Sequence, residues 1–395
     1  MAEPRAHPFA RWTRHVITPA LPGKRWGTGG VGLHDLTGDG RLEVVVSRRE
    51  TQSAYWFRPR GDGSWARHTL GACPHLETTL GAAVLDLDGD GWPDVAFSGV
   101  WFRNPGCLAS HPDTLWEARP YDGGGHDIIA ADLTGNGRKD LITYDGATCA
   151  WFDPTRDMHK TVVVEGRKDH GGVAPHGVGD LNGSGLPDMV LAGAWYENPG
   201  RPGAAWTPHP WPHEPVPNAS YGPSIRSWVA DMNGSGWNDI VYSDCDTGWG
   251  HVYWVENRGR GEDWARHPLP DPPGDERTGS WHSLGVADFD GSGRLDIFAG
   301  EQEDASTSMA ARGLLPMKPD GLQERGVIWV NAGGAQPPFE PVVIHQGWPG
   351  WHDAVLGDVS GDGRIDIVSK VWNTDWNSGQ RGYHVDYWQN EIEQQ

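Results

Sequence analysis

The sequence predicts an all-β chain, a seven-bladed β-propeller whose ring is closed by the N-terminal strand in the last blade, and three observations predict it. First, a nine-residue pattern, Asp-x-(Asp/Asn/Thr/Ser)-Gly-(Asp/Asn/Ser)-Gly-x-x-(Asp/Glu), starts at Asp35, Asp86, Asp132, Asp180, Asp231, Asp288 and Asp358. Successive starts lie 51, 46, 48, 51, 57 and 70 residues apart, a period that suits one four-stranded unit per repeat. Second, each copy sits between an apolar or alternating run and a β-branched run, as a hairpin turn does. Third, the last repeat lacks an outer strand, and Trp12-Thr13-Arg14-His15 reads as the missing one. Closing a ring in this way removes two open sheet edges.

Within a repeat the elements follow from local pattern. Runs such as AAVLDL, IIAADL and LGVADF make the first, innermost strand, and EVVVS, DVAFS, DLITY and DIVYS make the second. An aromatic third strand follows, as in Tyr55-Trp56-Phe57, Trp101-Phe102 and Trp151-Phe152. A short fourth strand is read at Trp65, Trp206 and Trp264.

Residues 1–395 are read as one propeller domain. A repeat ring escapes the usual size limit of a single core, because each blade packs mainly on its neighbours. No apolar run approaches the roughly 20 residues of a membrane helix, and MAEPRAHPFARW lacks the apolar centre of a signal peptide, so the expected location is cytoplasmic. The formal net charge of -21 argues against nucleic acid and anionic membranes as partners. Cys73, Cys107, Cys149 and Cys245 fall in different repeats with no CxxC spacing, which points to free thiols.

The repeat loops place oxygen side chains at alternate positions around glycines, an arrangement that can wrap calcium or magnesium. Asp86, Asp88, Asp90 and Asp94 form the richest of them and are the candidate calcium site. The alternative is a plain tight turn in which Asp caps backbone N–H groups.

On the opposite rim, histidines recur. Counting back from the first Asp of a repeat, position minus six is His126, His282 and His352, while His176 stands at minus four, on the same side of a two-residue period. These four are the candidate zinc ligands. The competing reading is that each merely hydrogen-bonds a neighbouring blade. Asp127, Asp145, Asp244, Glu301 and Asp353 are candidate acids or bases beside them. Arg48, Arg226, Lys370, Trp249, Trp281, Trp351 and Trp372 are candidate substrate-binding groups, since flat aromatic faces beside polar groups suit sugar rings. Trp26, Trp211, Trp348 and Trp376 are expected near the same rim, as is Glu50. Residues 301–326 form a loop far longer than a hairpin needs, a candidate lid, and residues 371–384 form a second rim loop.

The repeat loops resemble the FG-GAP or VCBS repeats of integrin-type propellers. Longer runs, LDLDGDGWPDVAFSGVWFRNPG, DLNGSGLPDMVLAGAWYENPG and GHDIIAADLTGNGRKDLITYDG, resemble the propeller domain of fungal aldos-2-ulose dehydratase/isomerase across all seven repeats. That resemblance implies zinc in the histidine-lined mouth and a hydro-lyase eliminating water from a 2-keto sugar through an enediolate. The partner is then a small sugar or glycosylated metabolite. No sequence remains for the cupin and lectin domains of that family. An epimerase or isomerase, a polysaccharide lyase, or a non-catalytic lectin-like propeller would use the same cleft.

Overall fold

The computed structural model describes all residues except 1–7, 24–26, 50, 79, 202, 304–306, 373–381 and 394–395. Trp26, Glu50, Trp376, part of the 301–326 loop and most of the 371–384 loop therefore lie outside the described residues.

Seven sheets make the ring, and from the axis outward their strands follow chain order except where blade seven takes its outermost strand from the N-terminus and blade five gains a parallel strand from blade four. The innermost strands are Thr28–His34, Ala83–Leu85, Asp127–Ala131, Val178–Gly179, Ile225–Ala230, Trp281–Ala287 and Asp353–Gly357. The second strands are almost wholly buried, as their unbroken β-branched runs require of a layer covered on both faces. Third-strand aromatics fill the space between blades: Trp56, Trp254 and Trp329 are each 2% exposed or less. The four cysteines are free thiols, and no helix of the described residues is long and apolar enough to cross a membrane.

The ring closes as the sequence predicts. Trp12–Thr18 pairs antiparallel with Val385–Asn390 from Trp12 opposite Asn390 to Thr18 opposite Val385, completing blade seven. Blade four departs from the pattern. Pro175–His176 leaves its own sheet and pairs parallel with the first strand of blade five, His176 opposite Trp228, and only Val178–Gly179 remains to start blade four.

The closing carboxylate of the nonapeptide turns inward and pins adjacent blades together. In blade four, Asp188 accepts from the backbone N–H of Leu181 and of Asn198, both at 2.9 Å, and the Asn198 amide donates to the carbonyl of Leu133 in blade three. Asp94/Asn104, Asp239/Asn257, Asp296/Asn331 and Asp366/Asn390 repeat this stitch to Leu36, Leu181, Met232 and Phe289 of the preceding blade. Blades one and three lack the asparagine, having Pro59 and Pro154 there.

In the candidate calcium loop every carboxylate has a protein partner. Asp86 accepts from the N–H groups of Gly89 and Gly91, Asp94 spends both oxygens on Leu87 and Asn104, and the Arg103 guanidinium bridges Asp88 and Asp90. Asp86, Asp88 and Asp94 are close enough to share an ion, with an arginine already at hand as counter-charge. Asp86 thereby caps the N–H groups of the turn.

Candidate functional site at the axial mouth

His126 immediately precedes the first strand of blade three, and Gly125 before it has φ 133°, with a Cβ there only 2.4 Å from the Tyr144 carbonyl. Only glycine fits such a turn. His282 is the extra residue of a β-bulge: Trp281 faces Glu301 and Ser283 faces Gly300, with His282 between them. Bulges re-aim a side chain, and this one leaves the ring buried among the other histidines. His352 precedes the first strand of blade seven and donates its backbone N–H to the Lys370 carbonyl. Asp246 follows the second strand of blade five in a left-handed conformation, φ 55°, unusual for a side-chain-bearing residue and common at functional sites.

These groups meet in one row of rings across the mouth. Tyr221 stacks on His170 at 4.6 Å, His170 lies 4.6 Å from His126, His126 5.4 Å from His282, His282 3.8 Å from His352, and His352 5.1 Å from Trp372. Sequence periodicity does not reveal His170, which sits in the loop after the fourth strand of blade three. It is held there by a hydrogen bond from its N–H to the Pro223 carbonyl. Gly171 admits it, because a Cβ at that position would stand 3.1 Å from His126 Nδ1.

The row has a defined wiring. His126 Nδ1 lies 2.7 Å from Asp127 Oδ1, and His282 Nδ1 donates to the His352 carbonyl. The Nε2 atoms of both turn toward the Asp246 carboxylate, at 4.0 and 3.7 Å. His126, His170 and Asp246 offer ligand atoms within 4.8 Å of one another, as do Cys245, Asp246 and His282, and as do His282, His352 and Asp353. His282 Nε2 is buried with no hydrogen-bond partner among the described residues. Asp246 is anchored by the Ser224 hydroxyl at 2.8 Å and by its own N–H to Ser280 Oγ.

Beneath the row, Arg226 of blade five donates to Asp127 of blade three at 3.2 Å and to Asp353 of blade seven at 2.8 Å. Asp127 Oδ2 also accepts from the N–H groups of Gly172, Val173 and Ala174. Lys370 Nζ lies 2.9 Å from Asp353 Oδ2 and 3.0 Å from His352 Nδ1. His126, Arg226 and Asp353 also line an axial channel of about 340 Å³ that runs along the innermost strands past Trp228, Lys139 and His34.

Burial would raise the Asp246 carboxyl, but the imidazoles of His282, His170 and His126 outweigh it and hold the group ionised. In the same way His126 and Arg226 overcome burial and keep Asp127 at about 2. Burial lowers His170 to about 4 and, with His282 and Lys370 adjacent, lowers His352 well below the usual range. For His126 the adjacent Asp127 outweighs burial and raises the ring. Lys370 and Arg226 hold Asp353 low against burial.

The structure brings His126, His282, His352, Asp127, Asp353, Arg226, Lys370 and Trp372 of the sequence candidates into this mouth. It places others elsewhere. His176 is exposed and stacks on Trp228 at 4.9 Å, because its strand has crossed into the sheet of blade five. Asp145 is exposed and caps the turn at Ala147 and Thr148. Glu301 is fully buried in a two-pronged pair with Arg325 at 2.8 and 3.0 Å. Asp244 is buried where it accepts from the His251 N–H, and burial raises it to about 7. Arg48 is buried, donating to the carbonyls of Pro22 and Gly27 beneath the Tyr383 ring. Trp281 and Trp351 are core residues, Trp351 stacked on Trp388. Trp211 is buried as well, and Trp348 lies edge-on to His384. Trp249 is 44% exposed on the rim. The long loop is docked, not raised: the Leu315 N–H donates to the Asn218 carbonyl and the Gly248 N–H to the Pro316 carbonyl.

Fold and site together define a seven-bladed β-propeller with a histidine-rich axial mouth. Residues 35–97 and 231–299 match the FG-GAP-like repeat. The chain is similar in structure to an Agrocybe aegerita lectin that recognises non-reducing terminal N-acetylglucosamine, with 18% identity, 81% of this chain and 80% of that one covered, and a TM-score of 0.52. It is similar also to virginiamycin B lyase from Staphylococcus aureus, with 11% identity, 96% and 98% covered, and a TM-score of 0.49. The V. cholerae biofilm matrix protein Bap1 aligns at 10% identity over 92% and 77%, with a TM-score of 0.31. No curated protein matches the sequence.

Proposed function

We propose that the axial mouth is a divalent-metal site, with zinc the preferred ion, and that the chain is a lyase eliminating water from a keto sugar or sugar-like metabolite. The observation that carries this reading is the wiring of His126 and His282. Each has its outer nitrogen engaged by an acceptor and its inner nitrogen turned to Asp246, the second-shell arrangement that metal-binding imidazoles adopt. The unpartnered, buried His282 Nε2 is the atom that an ion would satisfy.

His126, His170, His282 and Asp246 would hold the ion, a nitrogen-rich set that suits zinc. Such an ion supplies a Lewis acid that polarises a ligand carbonyl. Tyr221, at one end of the histidine row, offers an aromatic face to the C–H patches of a sugar, whereas Trp372 at the other end packs on His352 and beneath the Arg49 guanidinium. Asp353 is held ionised by two cations and is too weak a base to take a proton from carbon. Its role is to anchor Arg226 and Lys370.

A carbohydrate-binding propeller without turnover is the second reading, favoured by the exposure of Tyr221 and Trp249 at 42% and 44%. The lectin likeness fits this reading at the level of fold. Elemental analysis of the purified protein, followed by an absorbance assay for enone formation from 1,5-anhydrofructose or glucosone, tests the proposal. About one zinc per chain and zinc-dependent turnover are expected. Full activity in verified metal-free protein sinks the lyase reading, and sugar binding without turnover supports the second.

A further inference from the structure

We propose that Lys370 divides the histidine row, removing His352 from the metal sphere by fixing its ring proton on Nε2. The inference builds on the metal reading above only in assigning the other three histidines to the ion.

The nitrogen wiring carries it. His126 and His282 each direct Nδ1 at an acceptor, Asp127 Oδ1 and the His352 carbonyl, so each keeps its ring proton on Nδ1 and offers a lone pair from Nε2. His352 is wired in reverse. Its Nδ1 lies 3.0 Å from Lys370 Nζ, and an ammonium has only protons to give. An imidazole that accepts at Nδ1 carries its proton on Nε2, where it has no lone pair for a metal. The rival partner for His352 Nδ1 is Asp353 Oδ2 at 3.4 Å, but that oxygen already receives Lys370 at the shorter distance of 2.9 Å.

The ring cannot turn over to exchange its nitrogens. It is clamped between His282 at 3.8 Å and Trp372 at 5.1 Å, both within 24° of parallel, while its backbone N–H and carbonyl are both committed. Lys370 itself is 1% exposed. His282, His352 and Asp353 could form a second three-ligand group, yet the ammonium already sits within hydrogen-bond reach of two of its members. A second divalent cation would have to share that space with a positive charge. One ion, not two, is the consequence. Lys370 is thus a positioning residue that acts through His352.

Ring-nitrogen spectra of the full chain, ¹⁵N-labelled at histidine, with His352 identified by His352→Gln, decide the matter with and without zinc. The expected wild-type signature is an Nε2–H tautomer for His352 in both states, with saturation at one zinc per chain. Lys370→Met should move the His352 proton to Nδ1, facing Asp353. Lys370→Arg, which keeps a donor, should retain the wild-type tautomer and serves if the methionine variant does not fold. An Nδ1–H or zinc-bound signal for wild-type His352, two zinc ions in the wild type, or an unchanged tautomer in Lys370→Met would each overturn the proposal. A wild type that takes up no zinc would end the metal reading, and the tautomer read from the zinc-free protein would still decide this one.

Discussion

Asp246 reaches the histidines only because its backbone adopts φ 55° and Ser224 and Ser280 hold it there. Its carboxylate is the negative charge toward which both His126 Nε2 and His282 Nε2 turn. Asp246→Asn should therefore cut zinc affinity by about 10–100-fold, the scale seen when a metal site loses a charged or orienting group. His176→Ala and Asp145→Asn, remote from the row, should leave zinc content unchanged, and titration calorimetry distinguishes these outcomes. The same residues mark the limits of sequence reading. His126, His282 and His352 were legible because a propeller puts equivalent positions of its first strands around one axis. His170 was not, since a loop has no period to read. His176 misled because alternation assumes a continuous strand, and this strand changes sheets between His176 and Val178. Glu301 misled for a different reason: nothing in the end of a second strand discloses that Arg325 of the next strand will claim it.

The nonapeptide is the element through which blades grip one another. Both oxygens of its closing Asp accept backbone N–H groups, so Asp188→Asn turns an amide N–H₂ toward one of them. That change should cost about 1–3 kcal/mol, the price of an unsatisfied buried donor, read by chemical denaturation. Asn198→Ala, which cuts the tie to Leu133, should cost a similar amount. The architecture was readable from these loops because their spacing is that of a blade. Their inward-facing role was not, because the pattern of oxygens is the one an ion would also use. In the Asp86 loop, Arg103 brings a positive charge to Asp88 and Asp90. Millimolar calcium, or its chelation, should leave the melting temperature of the wild type unchanged, and a calcium-dependent shift abolished by Asp88→Ala would disprove that.

At the scale of the whole molecule, acidity and closure set stability. Burial raises Glu43, Asp94, Asp140 and Asp296 to about 7, and Asp188 and Asp239 to about 6. Each binds a proton more readily folded than unfolded, so between pH 4 and 7 the native state holds more protons and stability falls as pH rises. A net charge of -21 pushes in the same direction through self-repulsion. The melting temperature at pH 6 should exceed that at pH 8, and calorimetry showing the reverse would count against the inward carboxylates. Deleting residues 1–18 removes the Trp12–Thr18 strand and exposes the edge of Val385–Asn390, so the truncated chain should melt lower and self-associate on size-exclusion chromatography. Closure also bears on when the site can exist. Its groups come from blades three, five, six and seven and from the loop leading out of blade three, and the Arg226 tie spans three of those blades at once. The last of them is finished by Trp12–Thr18, which precedes blade one in the chain. If zinc binds as proposed, its uptake should therefore report completion of the circle: a chain cut back past Thr18 keeps every ligand in its sequence and loses the frame that assembles them.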